Sequence, residues 1–159
     1  MPRSPAWAGF SGEVDQRALE SLARELAATL RPGDAVLLEG PLGSGKSTFA
    51  RAVLGALGLK GRLPSPGFIV DAVYCTPDGT VVNHADLYRL QGSPEELEAF
   101  GIAGLLRSPE SGEGITLVEW AERLPTHLAP ACAIRVVLEF SSDETRRIAM
   151  IEDHRVAGD

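Results

Sequence analysis

The sequence predicts an α/β fold in three layers: a central, mostly parallel sheet with an antiparallel hairpin and antiparallel C-terminal strands, covered by helices on both faces. Three observations carry the prediction. Val36-Leu37-Leu38 and Ile115-Thr116-Leu117-Val118 are apolar runs without alternation, as expected of central strands buried on both sides. Helical patterns lie between the strand candidates, as parallel pairing requires. Pro77-Asp78-Gly79 separates two β-rich segments and reads as a hairpin turn. A chain of 159 residues with 44% hydrophobic content suits one domain with a real core, its ends at 1–12 and 154–159 expected to be loosely held.

Taken in order, residues 1–12 are rich in Pro, Ser and Gly, with Trp7 and Phe10 as the candidates to pack an edge. Over residues 14–30, Leu19, Leu22, Ala23, Leu26 and Leu30 share one helical face, and Pro32-Gly33-Asp34 stops the helix. The strand at 36–38 is followed by a second helix ending at Gly58. Residues 60–67 contain Pro64-Ser65-Pro66-Gly67 and must be loop. Strands are expected at 68–76 and 80–85. Ser93, Pro94 and Glu96 spell a helix start, with cap, first position and capping box, for a short helix broken at Gly101. After the linker 108–114 come strands at 115–118, 133–140 and 146–152.

The second helix opens with the most informative stretch. Gly40-Pro41-Leu42-Gly43-Ser44-Gly45-Lys46-Ser47 is a complete G-x-x-x-x-G-K-[ST] loop between a buried-type strand and a helix, which makes the fold P-loop NTPase-like. Glycines let the backbone curl round an oxyanion, aiming successive N–H groups and the positive end of the following helix at phosphates. The expected nucleotide-binding residues are Gly40, Leu42, Gly43, Ser44, Gly45, Lys46, Ser47 and Thr48. Lys46 would neutralise the β and γ phosphates of a nucleoside triphosphate, and the Ser47 hydroxyl would ligate Mg2+.

In an open α/β sheet, ligands bind beyond the carboxyl ends of the parallel strands, so an acid ending an apolar strand is placed to reach a metal at those phosphates. Glu119 ends the clean strand 115–118, and Asp86 ends the more polar Val81-Val82-Asn83-His84-Ala85. Either acid can hold the metal or orient the attacking water, so Lys46, Asp86 and Glu119 are the catalytic candidates and Ser47, Asp86 and Glu119 the metal candidates. His84 reads as a packing residue, Trp120 as packing that fixes the backbone of Glu119, and Arg89 and Arg123 as surface cations.

A net charge of −7, from 15 Lys and Arg against 22 Asp and Glu, excludes a wide basic face gripping nucleic acid unaided. Cys75 and Cys132 lie far apart within apolar segments, without metal-ligand spacing, and are expected as buried free thiols. No run of 18 apolar residues or signal-like segment occurs, so the expectation is a cytoplasmic protein that does not engage a membrane.

The phosphate loop, Ser65-Pro66, His84-Ala85-Asp86-Leu87-Tyr88-Arg89-Leu90, Pro94-Glu95-Glu96-Leu97 and Leu117-Val118-Glu119-Trp120-Ala121-Glu122-Arg123, in this order, resemble the TsaE family over residues 31–124. The resemblance implies a small ATPase that works with TsaB and TsaD in tRNA threonylcarbamoyladenosine formation and meets tRNA only through that complex. It also matches Ser47 and Glu119 to magnesium-binding positions and Asp86 to the aspartate of the Asp-Leu-Tyr-Arg element. Gly67 stands where the family carries a Thr hydroxyl, which implies slow hydrolysis; Pro41 and Ala85 replace an acidic and an aromatic residue. A nucleotide-gated interaction module with little turnover shares the loop, as does a small kinase. The kinase needs a second pocket and an arginine-bearing lid for which the chain offers little inserted material. A GTPase is disfavoured because no Asn-Lys-x-Asp occurs.

Overall fold

A computed structural model describes residues 7–59, 71–88, 95, 114–125 and 127–155. The protein is an α/β fold, its described residues forming one seven-stranded sheet. In chain order the elements are β1 (Ser11–Asp15), α1 (Gln16–Ala27), β2 (Ala35–Glu39), α2 (Lys46–Ala56), β3 (Asp71–Cys75), β4 (Val81–Asp86), β5 (Gly114–Glu119), a 3-10 turn (Ala121–Arg123), β6 (Ile134–Phe140) and β7 (Arg146–Asp153). The strand order is β1-β7-β6-β2-β5-β4-β3. The central four, β6, β2, β5 and β4, run parallel, while β3 joins β4, β7 joins β6 and β1 joins β7 antiparallel.

The continuous apolar run of β2 is explained by a core on each side. Val36 and Leu38 point into the larger core with Phe49, Val53 and Leu54 of α2 and Leu22, Ala23 and Leu26 of α1. Ala35 and Leu37 point the other way, into a smaller core with Ala85, Leu87, Val118 and Ala121. Among the described residues, both α-helices cover the first face, and Trp120, Ala121, Leu124, Leu128 and Ala129 cover the second. The helix expected after Ser93, with Pro94 and Glu96, the Ser65-Pro66-Gly67 element and Arg89 lie outside the described residues.

α1 begins later than its periodicity suggests. Asp15 is its N-cap, accepting a hydrogen bond from the Ala18 N–H at 2.8 Å, and Val14 belongs to β1. Such a cap contributes about 1 kcal/mol. Fully burying Leu26 contributes roughly 2 kcal/mol, so the apolar face rather than the cap decides where α1 lies. Residues expected to be loosely held are partly engaged: Trp7 is buried, and Phe10 and Ile151 share a hydrogen bond.

The expectation of buried thiols is overturned, since Cys75 and Cys132 are both free and exposed. Cys75 ends β3, the last strand of the sheet, and Cys132 lies in the turn before β6. Beside them Tyr74 packs on the larger core and Ala133 enters the smaller one, while the thiols face out.

Candidate functional site

The loop after β2 is shaped by glycine where no other residue fits. Gly40 has φ 147°, and a β-carbon there would lie 2.3 Å from the Leu138 carbonyl oxygen. Gly45, at φ 106°, is the N-cap of α2 and offers no side chain to its first-turn N–H groups. Those groups and the positive helix end therefore face the space above the loop.

That space is a cavity of about 330 Å³ bounded by Leu42, Gly43, Gly45, Lys46, Ser47 and Thr48 of the loop and helix, with Asp86, Tyr88, Glu119 and Trp120 opposite. It lies at the carboxyl ends of β2, β4 and β5. Register aligns the two acids: Asp86 and Glu119 are direct partners across β4 and β5, and Leu38 is the partner of Glu119 across β2. Lys46, Ser47, Asp86 and Glu119 thus share one cavity, with Leu42 exposed at its rim. Gly40 and Ser44 stand behind it, and the Ser44 hydroxyl is buried without a hydrogen-bond partner.

Glu119 is buried, and both its oxygens are engaged. Oε1 accepts from the Ser47 hydroxyl at 2.7 Å, and Oε2 lies 2.5 Å from Nε2 of His84. Burial pushes the Glu119 pKa up, but the His84 hydrogen bond and charge, the Ser47 hydrogen bond and the Lys46 charge together outweigh it and leave the acid below its ordinary value. Asp86 moves the other way. Burial raises its pKa, the hydrogen bond from the Tyr88 N–H opposes the rise, and the Glu119 charge adds to it.

The Lys46 ammonium donates to the carbonyl oxygens of Gly40 at 2.5 Å and Pro41 at 2.9 Å, and sits 4.0 Å from the centre of the Trp120 ring. Burial lowers its pKa, against the opposing charges of Glu122, Glu119 and Asp86. Trp120 therefore walls the cavity as well as following Glu119. Its ring also meets Tyr88 at 5.0 Å and Arg123 at 5.2 Å.

Tyr88 and Trp120, which wall the cavity, and His84 and Glu122, which hold its groups, escaped the sequence. His84, expected to be packing, is buried against Glu119. Glu122 accepts a hydrogen bond from the Gly40 N–H at 2.9 Å, holding the first glycine of the loop. The only sequence signal for His84 was its place two residues before Asp86 on the same strand face. For Glu122 it was a position three residues beyond Glu119, meaningful only once Trp120 turns the chain.

A second cavity of about 350 Å³ adjoins the first, sharing Gly43, Gly45 and Thr48 and reaching Leu19, Thr145 and Arg147. Arg147 donates to the Gly43 carbonyl at 3.1 and 3.3 Å, tying the loop to β7.

A central parallel sheet with a glycine loop leading from β2 into α2 defines the α/β phosphate-loop class of fold. A solved structure of that architecture, the crystal structure of Bacillus subtilis YdiB, superposes with a TM-score of 0.64 at 27% identity, covering 91% of this chain and 88% of that one. The family model described as "Threonylcarbamoyl adenosine biosynthesis protein TsaE" matches residues 14–148, and the chain belongs to the TsaE family. Among its relatives, the "tRNA threonylcarbamoyladenosine biosynthesis protein TsaE" of Rickettsia bellii is 40% identical over 128 residues, 80% of this chain and 83% of the relative. The protein of the same description from Bacillus subtilis is 32% identical over 136 residues, 85% of this chain and 80% of the relative. No helix among the described residues is long and apolar enough to cross a membrane.

Proposed function

We propose that this chain binds MgATP in the cavity above the glycine loop and hydrolyses it slowly, as a cytoplasmic subunit working with TsaB and TsaD in tRNA threonylcarbamoyladenosine formation. The observation that carries the proposal is the meeting of Lys46, Ser47, Asp86 and Glu119 in one cavity at the N-terminus of α2. The surroundings fit a triphosphate. Uncapped helix N–H groups, a buried Ser44 hydroxyl in need of a partner and a buried ammonium are donors suited to phosphate oxygens.

They also fit magnesium. Among the described residues no group of three or more His, Cys, Asp and Glu can hold a metal. Magnesium in phosphate-transfer sites needs only one or two protein ligands, the rest coming from phosphates and water. Ser47 would ligate it, with Glu119 or Asp86 as the neighbouring acid. When bound, the ion neutralises charge on the β and γ phosphates. Lys46 exchanges its loop carbonyls for phosphate oxygens, Glu119 holds the Ser47 hydroxyl in place, and Asp86 or Glu119 orients the attacking water. We assign the base to the adjoining second cavity, where Leu19 stands among polar residues.

A rival reading, an ATP-gated interaction module with little turnover, is favoured by Gly67, which lacks the hydroxyl that the family carries. Phosphate release by the isolated chain, then with TsaB and TsaD added, separates the two. The expected result is weak release that rises on complex formation. Binding without release in either setting favours the module, and absence of nucleotide binding overturns both. Lys46→Ala should weaken binding of a fluorescent ATP analogue about 100-fold, as loss of charge-assisted contacts to phosphate predicts. Glu119→Ala should lower magnesium-dependent turnover more than affinity.

A further inference from the structure

The Glu119 carboxylate has two oxygens with different duties: Oε1 receives the Ser47 hydroxyl, and Oε2 is held by His84. We propose that His84 is a positioning residue, whose Nε2–H fixes the rotamer of Glu119 so that Oε1 stays aimed at Ser47, the residue that would hold magnesium. The inference rests on the MgATP reading for its functional consequence, but the contact itself does not.

The geometry supports this role over packing. His84 lies on β4 opposite Leu117 of β5, diagonal to Glu119, and both side chains are almost fully buried, at 3% and 2% exposure. A carboxylate only accepts, so Nε2 carries the proton in this contact. His84 Nδ1 is buried without a partner, so among the described residues the Glu119 bond is the one hydrogen bond that orients the ring. A residue kept only for packing needs no polar atoms here, and an apolar side chain would avoid the cost of that unpartnered nitrogen. Without the contact, Oε2 becomes a buried, unsatisfied charged oxygen, and the carboxylate is free to turn away from Ser47. Groups that orient the residues around a metal typically contribute 10- to 100-fold to its affinity or to activity.

The test compares His84→Gln, whose amide nitrogen reaches the position of Nε2, with His84→Asn, whose amide stops at the position of Nδ1. Both variants are polar, and thermal unfolding reports any loss of folding. The readout is the factor by which magnesium tightens binding of a fluorescent ATP analogue, relative to binding in EDTA. His84→Gln should keep this factor within about threefold of the parent, and His84→Asn should lose at least about tenfold of it, with EDTA affinity unchanged within about twofold. Equal factors in both variants, whether both kept or both lost, would overturn the proposal. Should either variant fail to fold, a second measurement on the parent decides. In nucleotide-free protein carrying ¹⁵N-labelled histidine, the His84 Nε2–H should give a protected, downfield imidazole resonance that disappears or moves upfield by several ppm in Glu119→Gln. An unprotected or unshifted proton would sink the inference while leaving the MgATP reading standing. Failure of the parent to bind nucleotide, with the resonance present, would sink that reading and leave the contact.

Discussion

Asp86 and Glu119 are neighbours in register, yet their surroundings push them apart. Burial raises the Asp86 pKa above its ordinary 3.8, outweighing the Tyr88 N–H at 2.9 Å and the charges of His84 and Lys46. Glu119 has His84, Ser47 and Lys46, and falls below its ordinary 4.5. The signs follow from linkage. An acid with a depressed folded-state pKa contributes stability above its unfolded value, and that stability is lost as pH falls through the folded value. An acid with a raised folded-state pKa holds its proton more tightly when folded, so its ionisation at neutral pH works against the fold. Asp86→Asn keeps an oxygen acceptor for the Tyr88 N–H and removes the charge. In nucleotide- and metal-free protein it should raise Tm at pH 7, and the gain should vanish below the ordinary aspartate value of 3.8, where both states of the parent are protonated. A pH series of thermal melts checks this, and a lower Tm at pH 7 would contradict it.

At the scale of elements, the turn from β5 into the 3-10 segment organises the site. Trp120 adopts φ 60° and ψ 39°, a left-handed conformation unusual for a non-glycine residue. It lets Glu119, Trp120 and Glu122 meet Ser47, Lys46 and Gly40 respectively. Two truncations separate the backbone from the ring. Trp120→Gly and Trp120→Ala both remove the aromatic contacts, but only glycine adopts this conformation freely, so the glycine variant should be more stable by about 1 kcal/mol in urea unfolding. Equal stabilities would mean that the turn relaxes once the ring is gone. This turn also marks where the sequence stops being legible. Lys46, Ser47, Asp86 and Glu119 could be found because each ends a strand or opens a helix, positions that periodicity locates. His84 and Glu122 depend on cross-strand register and on one positive φ, which periodicity does not report. β1 was hidden for a related reason: Ser-Gly-Glu-Val-Asp has a single buried apolar residue, and its strand form comes from pairing with β7, far away in sequence.

Across the whole molecule, the two ends of the parallel strands carry different burdens. The phosphate loop and its acids occupy the carboxyl ends; at the other end, Arg155 gathers three distant parts of the chain. Its guanidinium forks onto Asp153 with two bonds of 2.9 Å, reaches Asp34 before β2 at 2.9 Å, donates to Thr29 after α1 at 3.2 Å and lies 5.5 Å over the Trp7 ring. The side chains of Arg155, Asp34 and Asp153 are about four-fifths buried, so this network keeps more of its strength than a surface pair. Arg155→Ala takes the cation from two carboxylates that keep a backbone N–H each, and should lower the unfolding free energy by about 2 kcal/mol in urea, with the slope unchanged. Arg155→Lys should recover less than half, because an ammonium cannot present a planar fork to Asp153 while reaching Asp34. Since this network and the glycine loop sit at opposite ends of the same strands, nucleotide affinity in the folded Arg155→Ala protein should stay within about twofold of the parent, as expected of independent, well-separated sites. Affinity falling in step with stability would show instead that the sheet transmits strain from one end to the other, and the loop would then depend on the strand scaffold rather than on its own glycines and Glu122.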